Sequence, residues 1–308
     1  VGHNALTSNT TASQNTAVGQ ESLKACTTGA TNTAVGAESL KASTTGTQNT
    51  AVGHNALLLT GAGTDGSYNV AVGNDAMAAN TEGQSNVAIG RRALYANTTA
   101  DENTAVGYSC LEANTTGAGN VAMGIGAMQA NTTASDNVAV GNRAMSANTT
   151  GIRNMAIGKA AYTQSDTEDD NLAIGFQAMT QNSAGGTLNV ALGNYSLDAC
   201  TSGDRNTGLG HESLTSLTDT NDCTAVGYNA LGTNGSGSGI NTAIGSRALQ
   251  ALTTGTSNIG IGFRAGENIT DGINNILIGR NAGAHGSSSD SLDACIVIGD
   301  YSDTSAVD

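Results

Sequence analysis

Hydrophobic and polar positions recur along this chain with a fixed beat. An Asn is followed by an apolar or Thr residue, a small residue, a larger apolar residue and a Gly, as in Asn137-Val-Ala-Val-Gly141. Ala or Ser and then Leu or Met stand three and four residues after that Gly, and a polar corner such as Ala147-Asn-Thr-Thr-Gly151 closes the unit. With the Gly as position 0, the anchors are Gly2, Gly19, Gly36, Gly53, Gly73, Gly90, Gly107, Gly124, Gly141, Gly158, Gly175, Gly193, Gly210, Gly227, Gly245, Gly262, Gly279 and Gly299. Most successive anchors are 17 residues apart; 53→73 and 279→299 carry three more, 175→193 and 227→245 one more. A constant period over a whole chain is the signature of a solenoid, in which each coil buries its apolar side against the next.

Positions −3 to −1 predict a short strand, because a β-branched, small, apolar alternation fits a pleated ribbon. Side chains alternate faces along a strand, so −3 and −1 share one face while −2 and the anchor share the other. Position −2 is Ala in most coils, Gly at Gly208 and Gly260, and grows to Leu277 and Val297 only in the last two. The larger face needs a partner; the Ala/Gly face admits another backbone at close range. The +3/+4 segment is too short for a helix and is placed on a second, weaker side of the coil, before the corner. The fold expected is an all-β parallel β-solenoid of about 18 coils, a single array over 1–308 with divergent coils over 265–308, where Gly266 and Gly283 also replace Leu at +4. The three-residue expansions, Leu58 to Ser67 and His285 to Leu292, are expected as bulged corner loops.

Position −4 is Asn in nearly every coil: Asn15, Asn32, Asn49, Asn69, Asn86, Asn103, Asn120, Asn137, Asn154, Asn171, Asn189, Asn206, Asn241, Asn258 and Asn275, with Cys223 and Cys295 as departures. Residues at one phase stack about 4.8 Å apart, so these side chains predict an amide ladder along the axis. Asn also tolerates the left-handed backbone of a tight corner. Asn97, Asn114, Asn131 and Asn148, each followed by Thr-Thr, read as a second corner ladder rather than as sugar acceptors.

Composition narrows the function. The chain has 42 Gly, no Pro, no Trp, two Phe and a formal charge of −14. Without a basic footprint to neutralise phosphates, nucleic acid is excluded as a partner, and no apolar run reaches the roughly 18–20 residues of a membrane helix. The chain opens in mid-repeat at Val1-Gly2 and reads as a piece of a longer fibre. Cys26, Cys110, Cys200, Cys223 and Cys295 form no CxxC and act as small apolar residues. His3, His54, His211 and His285 read as surface residues, and no nucleophile elbow, HExxH, P-loop or dinucleotide fingerprint is present. No catalytic residue and no cofactor are expected. Asp166, Glu168, Asp169 and Asp170 form the densest acidic cluster. It reads first as a solvated corner, and as a Ca²⁺ candidate because several carboxylates are the ligands that ion takes. Each coil has only two or three large apolar side chains to set against the ordering of 17 residues. One apolar face, −3/−1 or +4, is therefore expected to be buried in an oligomer, most simply a homotrimer.

The Asn-Thr-Ala-Val-Gly-x-x-Ala-Leu unit resembles the head repeats of YadA-type trimeric autotransporter adhesins and similar runs in phage tail fibres. The resemblance spans the chain, with Gly19, Gly36, Gly53 and their companions on the family's Gly. The period is longer than in the adhesin heads, and the coiled-coil stalk and membrane anchor have no counterpart here. It implies a left-handed β-roll, three chains side by side, location on a virion or bacterial surface, and a role in reach and attachment. A cell-surface glycan or protein receptor would then be met through another domain. Two other readings compete. An ice-binding or other single-chain solenoid would use flat Thr-bearing faces, against which −3 mixes Thr with Met155, Leu172 and Ile259. A glycan-cleaving tailspike would need paired carboxylates roughly 5–9 Å apart in a groove, whereas the acidic residues are dispersed over corners.

Overall fold

A computed structural model describes residues 2–59, 66–233, 239–283 and 292–300. Two compact units, Val1–Arg153 and Asn154–Asp308, are each a parallel β-solenoid. The first holds β1 (Thr16–Val18), β2 (Thr33–Val35), β3 (Thr50–Val52), β4 (Val70–Val72), β5 (Val87–Ile89), β6 (Thr104–Val106), β7 (Val121–Met123) and β8 (Val138–Val140). The second holds β9 (Met155–Ile157), β10 (Leu172–Ile174), β11 (Val190–Leu192), β12 (Thr207–Leu209), β13 (Thr224–Val226), β14 (Thr242–Ile244), β15 (Ile259–Ile261), β16 (Ile276–Ile278) and β17 (Ile296–Ile298). Each strand is the −3 to −1 tripeptide. Eighteen anchors thus yield seventeen strands among the described residues, the coil of Gly2 having none.

Within each unit register follows phase without slippage: Thr16 pairs with Thr33, Ala17 with Ala34, Val18 with Val35. The longer intervals do not disturb it, since Thr50 pairs with Val70 and Ile276 with Ile296. Most of the two three-residue expansions, 60–65 and 284–291, lies outside the described residues. The single extra residue before Gly193 is likewise absorbed off the strand, with Leu172 opposite Val190.

The strand's small residue points inward. Ala34, Ala51, Ala71, Ala88, Ala105, Ala122 and Ala139 are fully buried, as are the +3 residues and the +4 Leu or Met of the same coils. The −1 side chains point outward, with Val18, Val35, Val52, Ile89 and Met123 between 36 and 46 % exposed. Of the two apolar faces left open by the sequence, +4 is core and −3/−1 is surface.

The side after the anchor is built on left-handed backbone. Positions +2 and +4 have positive φ in coil after coil, for example Arg92 at 59° and Leu94 at 50°. A third such residue stands at −5, for example Glu102 at 59°, so the left-handed corner falls on the residue before the Asn and not on the Asn. An L-residue pays roughly 1–2 kcal/mol for this conformation, whereas burying a Leu or Met side chain gains about 1.5–3 kcal/mol; at +4 burial wins. This backbone also aims N–H groups both ways along the stack. Arg92 N–H donates to Asn74 O of the preceding coil (3.0 Å), while Leu94 N–H donates to Cys110 O of the following one (3.0 Å). The sides without strands are therefore hydrogen-bonded between coils as well.

The core compensates its own substitutions. Gly208 at −2 accompanies Ser196 and Ser213 at +3, whose hydroxyls lie 2.8 Å apart where an Ala methyl would collide with Ser196 Oγ. Where Gly266 and Gly283 replace Leu at +4, Leu277 grows inward from −2 into the vacated volume, and a Cβ on either Gly would lie within 2.8 Å of its methyl carbons.

The anchor Gly is demanded twice. At Gly107 φ is +145°, and an added Cβ would meet Gly124 O at 2.4 Å. Gly126, at φ +63°, has nothing nearer than 3.5 Å. Gly107→Ala is expected to cost about 3 kcal/mol or more and Gly126→Ala no more than about 1–2 kcal/mol, read from urea unfolding midpoints; equal costs would contradict the close-approach account.

Candidate functional site

The −4 Asn side chains line the inside of each unit, buried in every coil but that of Asn15. Each makes two kinds of contact. Its Oδ1 accepts the backbone N–H of the next Asn, as at Asn49 N to Asn32 Oδ1 (2.9 Å) and Asn206 N to Asn189 Oδ1 (2.9 Å). Its Nδ2 crosses its own coil to the carbonyl at the far corner, as at Asn103 to Gly117 O (2.8 Å) and Asn258 to Gly272 O (2.7 Å). Direct amide-to-amide contact is secondary, for example Asn86 Nδ2 to Asn69 Oδ1 at 3.2 Å. The column runs from side-chain carbonyl to main-chain N–H. Where Cys295 takes the position, its N–H still donates to Asn275 Oδ1 at 3.0 Å.

A second column stands at +7. Asn97, Asn114, Asn131 and Asn148 are fully buried, and each Nδ2 donates to the Oδ1 of the preceding coil, at 2.7 to 3.3 Å. The same nitrogens reach the far-corner carbonyl, so Gly117 O accepts from both Asn103 (2.8 Å) and Asn114 (2.9 Å). These Asn-Thr-Thr side chains are engaged inside the fold. Outside them, Thr98 Oγ1 donates to Thr115 O and Thr115 Oγ1 to Thr132 O, both at 3.0 Å. In the coil of Tyr162, Ser165 stands at +7, and the Tyr162 hydroxyl accepts from Asn171 Nδ2 (2.6 Å) and Asn182 Nδ2 (3.2 Å). Burial pushes the pKa of that phenol well above its ordinary value.

The four acidic residues of 166–170 do not converge. Glu168 is buried, with Oε2 accepting from Asp166 N (3.0 Å) and Thr167 N (3.2 Å) and Oε1 from Gly185 N (3.0 Å). Asp166 is exposed, and Asp169 and Asp170 are half-buried. Among the described residues no three His, Cys, Asp or Glu side chains are grouped to hold a metal ion. Glu168 instead caps the corner. None of the five cysteines is in a disulfide, and burial pushes the thiols of Cys110 and Cys200 up to about 12 and about 11, far from thiolate chemistry at neutral pH.

The surface has two features. One is the outward apolar strip of −3 and −1 side chains. In the first unit its eight rungs, spaced about 4.8 Å, alternate Thr or Val with Val, Ile or Met. In the second unit Leu192, Leu209, Ile244, Ile259, Ile296 and Ile298 continue the pattern, with Ile298 70 % exposed. The other is a column of rings on the corner after the strands. Lys159 Nζ lies 5.8 Å from the Phe176 ring centre, and Phe176, Tyr195, His211 and Tyr228 follow at centroid spacings of 5.4, 5.9 and 5.8 Å. The sequence alone places His211 on plain surface; the one sign of the column in it is an aromatic ring within two residues of the anchor in consecutive coils. Elsewhere the same corner carries ion pairs. Lys24 and Lys41, each 2.8 Å from Glu21, hold its carboxyl down at about 2. No described helix is long and apolar enough to cross a membrane.

Glu168→Ala leaves three backbone N–H groups without their acceptor and is expected to lower unfolding stability by about 2–3 kcal/mol, with Glu168→Gln milder. Because both carboxylate oxygens are already engaged, Ca²⁺ or a chelator should leave the wild-type melting temperature unchanged; a Ca²⁺-dependent rise lost in Glu168→Gln would restore the metal reading.

No protein-family model matches this chain, and no curated protein matches it.

Proposed function

We propose that this chain is a non-catalytic segment of an extended fibre, a shaft or head that gives reach and surface attachment and assembles as a homotrimer around its −3/−1 faces. The observation that carries the reading is the outward apolar strip. Isolated exposed apolar residues are ordinary, but a contiguous strip rung after rung marks a surface that meets another surface. A solenoid whose inner volume is filled by Ala, Leu, Met and Asn has no use for these side chains inside its own coil. Stacking three copies would remove them from water, and because every rung carries the same pattern, identical chains would match rung for rung. A trimer of this kind on a virion tail fibre or a bacterial surface fits the acidic, Gly-rich composition and the dispersal of carboxylates over corners. Glycan cleavage draws no support from such a surface.

The ice-binding alternative draws on the same observation, since a flat, regular face carrying Thr16, Thr33, Thr50 and Thr104 also orders water. It requires that face to stay open in a monomer. Light scattering after size exclusion separates the two. The fibre reading expects about three times the 30.4 kDa chain mass, falling to one chain in Ile89→Lys/Met123→Lys with the far-ultraviolet spectrum unchanged. A wild-type monomer contradicts it, and thermal hysteresis in that monomer would favour ice binding.

A further inference from the structure

We infer that the ring column Phe176–Tyr195–His211–Tyr228 is a binding surface for a neutral glycan chain. It stands apart from the trimer reading, because it lies on the corner and not on the sheet face. Three observations carry it. First, the chain has only two Phe and seven Tyr, yet three of these nine rings and one imidazole join in four consecutive coils, each within 5.4–5.9 Å of the next. Second, the column has no part in the core, which Ala, Leu, Met and Asn fill without it; Tyr228 is 45 % exposed and the His211 side chain 46 %. Third, polar groups flank the rings. Asn194, exposed beside Tyr195, accepts the Phe176 N–H at Oδ1 (2.8 Å), and its NH₂ is a donor group. Glu212 borders His211 and Lys159 caps the Phe176 end.

This combination matches the chemistry of a sugar polymer. A pyranose ring offers a patch of polarised C–H bonds that sits against the electron-rich face of an aromatic ring, and its rim of hydroxyls needs donors and acceptors such as Asn194, Glu212 and Lys159. The solenoid spaces rings by coil, so successive sugars of an extended chain can meet successive rings. One carboxylate and one ammonium give the column no dominant sign, and a net charge of −14 repels sulfated or carboxylated polymers. Neutral glycans are therefore the class selected. A ladder that only stabilises the stack is the competing account.

The test is native electrophoresis of the 1–308 chain through gels containing neutral glucan, xylan or galactomannan, with alginate and a proline-rich peptide as comparison probes. Retardation by at least one neutral polymer is expected, weakened about tenfold or more in Tyr195→Ala/Tyr228→Ala by the loss of two rings of the column, retained in Tyr228→Phe, and unaffected by Tyr108→Ala. The chain lacks Trp, so Tyr emission and the aromatic proton resonances of Tyr195 and Tyr228 report contact in the wild type, even if the double variant folds poorly. No retardation and no resonance shift with any neutral glycan, equal retardation in the double variant, or binding confined to alginate or to the peptide would each overturn the inference. Chain mass measured on the same sample keeps failure of the trimer distinct from failure of the site.

Discussion

One polar side chain holds nearly every coil shut and fastens it to its neighbour. The −4 Asn spans its own coil through Nδ2 and offers Oδ1 to the N–H of the next Asn, so coil closure and coil stacking share a side chain. Closing a loop of this length without a thick apolar core demands bonds that cannot be exchanged for water, and a buried amide with all its partners in place supplies them. The far-corner carbonyl is part of the same device, because it takes one bond from the −4 Asn and, in many coils, a second from +7. Position +7 can relax to Cys200, Leu217 or Leu252, all still buried. Position −4 hardly varies because it does both tasks.

With the interior committed to amides and small residues, the usual disposition of a strand is inverted. Ala goes in and Val, Ile, Leu or Met go out. The inward face has room for one methyl because Leu or Met at +4 already fills the middle, and Leu277 shows the exchange run backwards once Gly266 and Gly283 empty that space. Large apolar residues can then be accommodated only outside, where they form the strip read above as an assembly surface. A thin coil and an apolar exterior strip are two sides of one allocation of volume.

Much of this was legible in the residues. The period, the strand tripeptide, the register and the Asn column follow from phase alone, since residues at one phase must stack. The pairing of Gly at +4 with Leu at −2 was visible as a change of packing, though not as a filling of one volume by the other. Three things were not legible. Whether −3/−1 or +4 faces outward depends on the left-handed backbone at +2 and +4, which Leu94 or Arg92 gives no local hint of adopting. The role of Glu168 depends on a corner where its carboxylate turns back onto Asp166 and Thr167, a geometry that a run of acidic letters does not display. The ring column was hidden because Tyr195 sits one position later than its neighbours, and only the fold brings its ring between Phe176 and His211.

The −4 amide secures the stack, and Asn103→Asp removes the donor half of its bonding. The change keeps the shape and the Oδ1 acceptor but replaces the NH₂ that donates to Gly117 O, placing a carboxylate against a carbonyl in a buried site. Its folded-state pKa should rise above the unfolded value of about 3.9, so the variant's stability should approach wild type below that pH and fall as pH climbs through the folded value. A urea midpoint deficit at pH 7 equivalent to about 3 kcal/mol or more is expected, shrinking toward pH 3. A variant as stable as wild type at pH 7 would show that the Asn column is incidental to the fold.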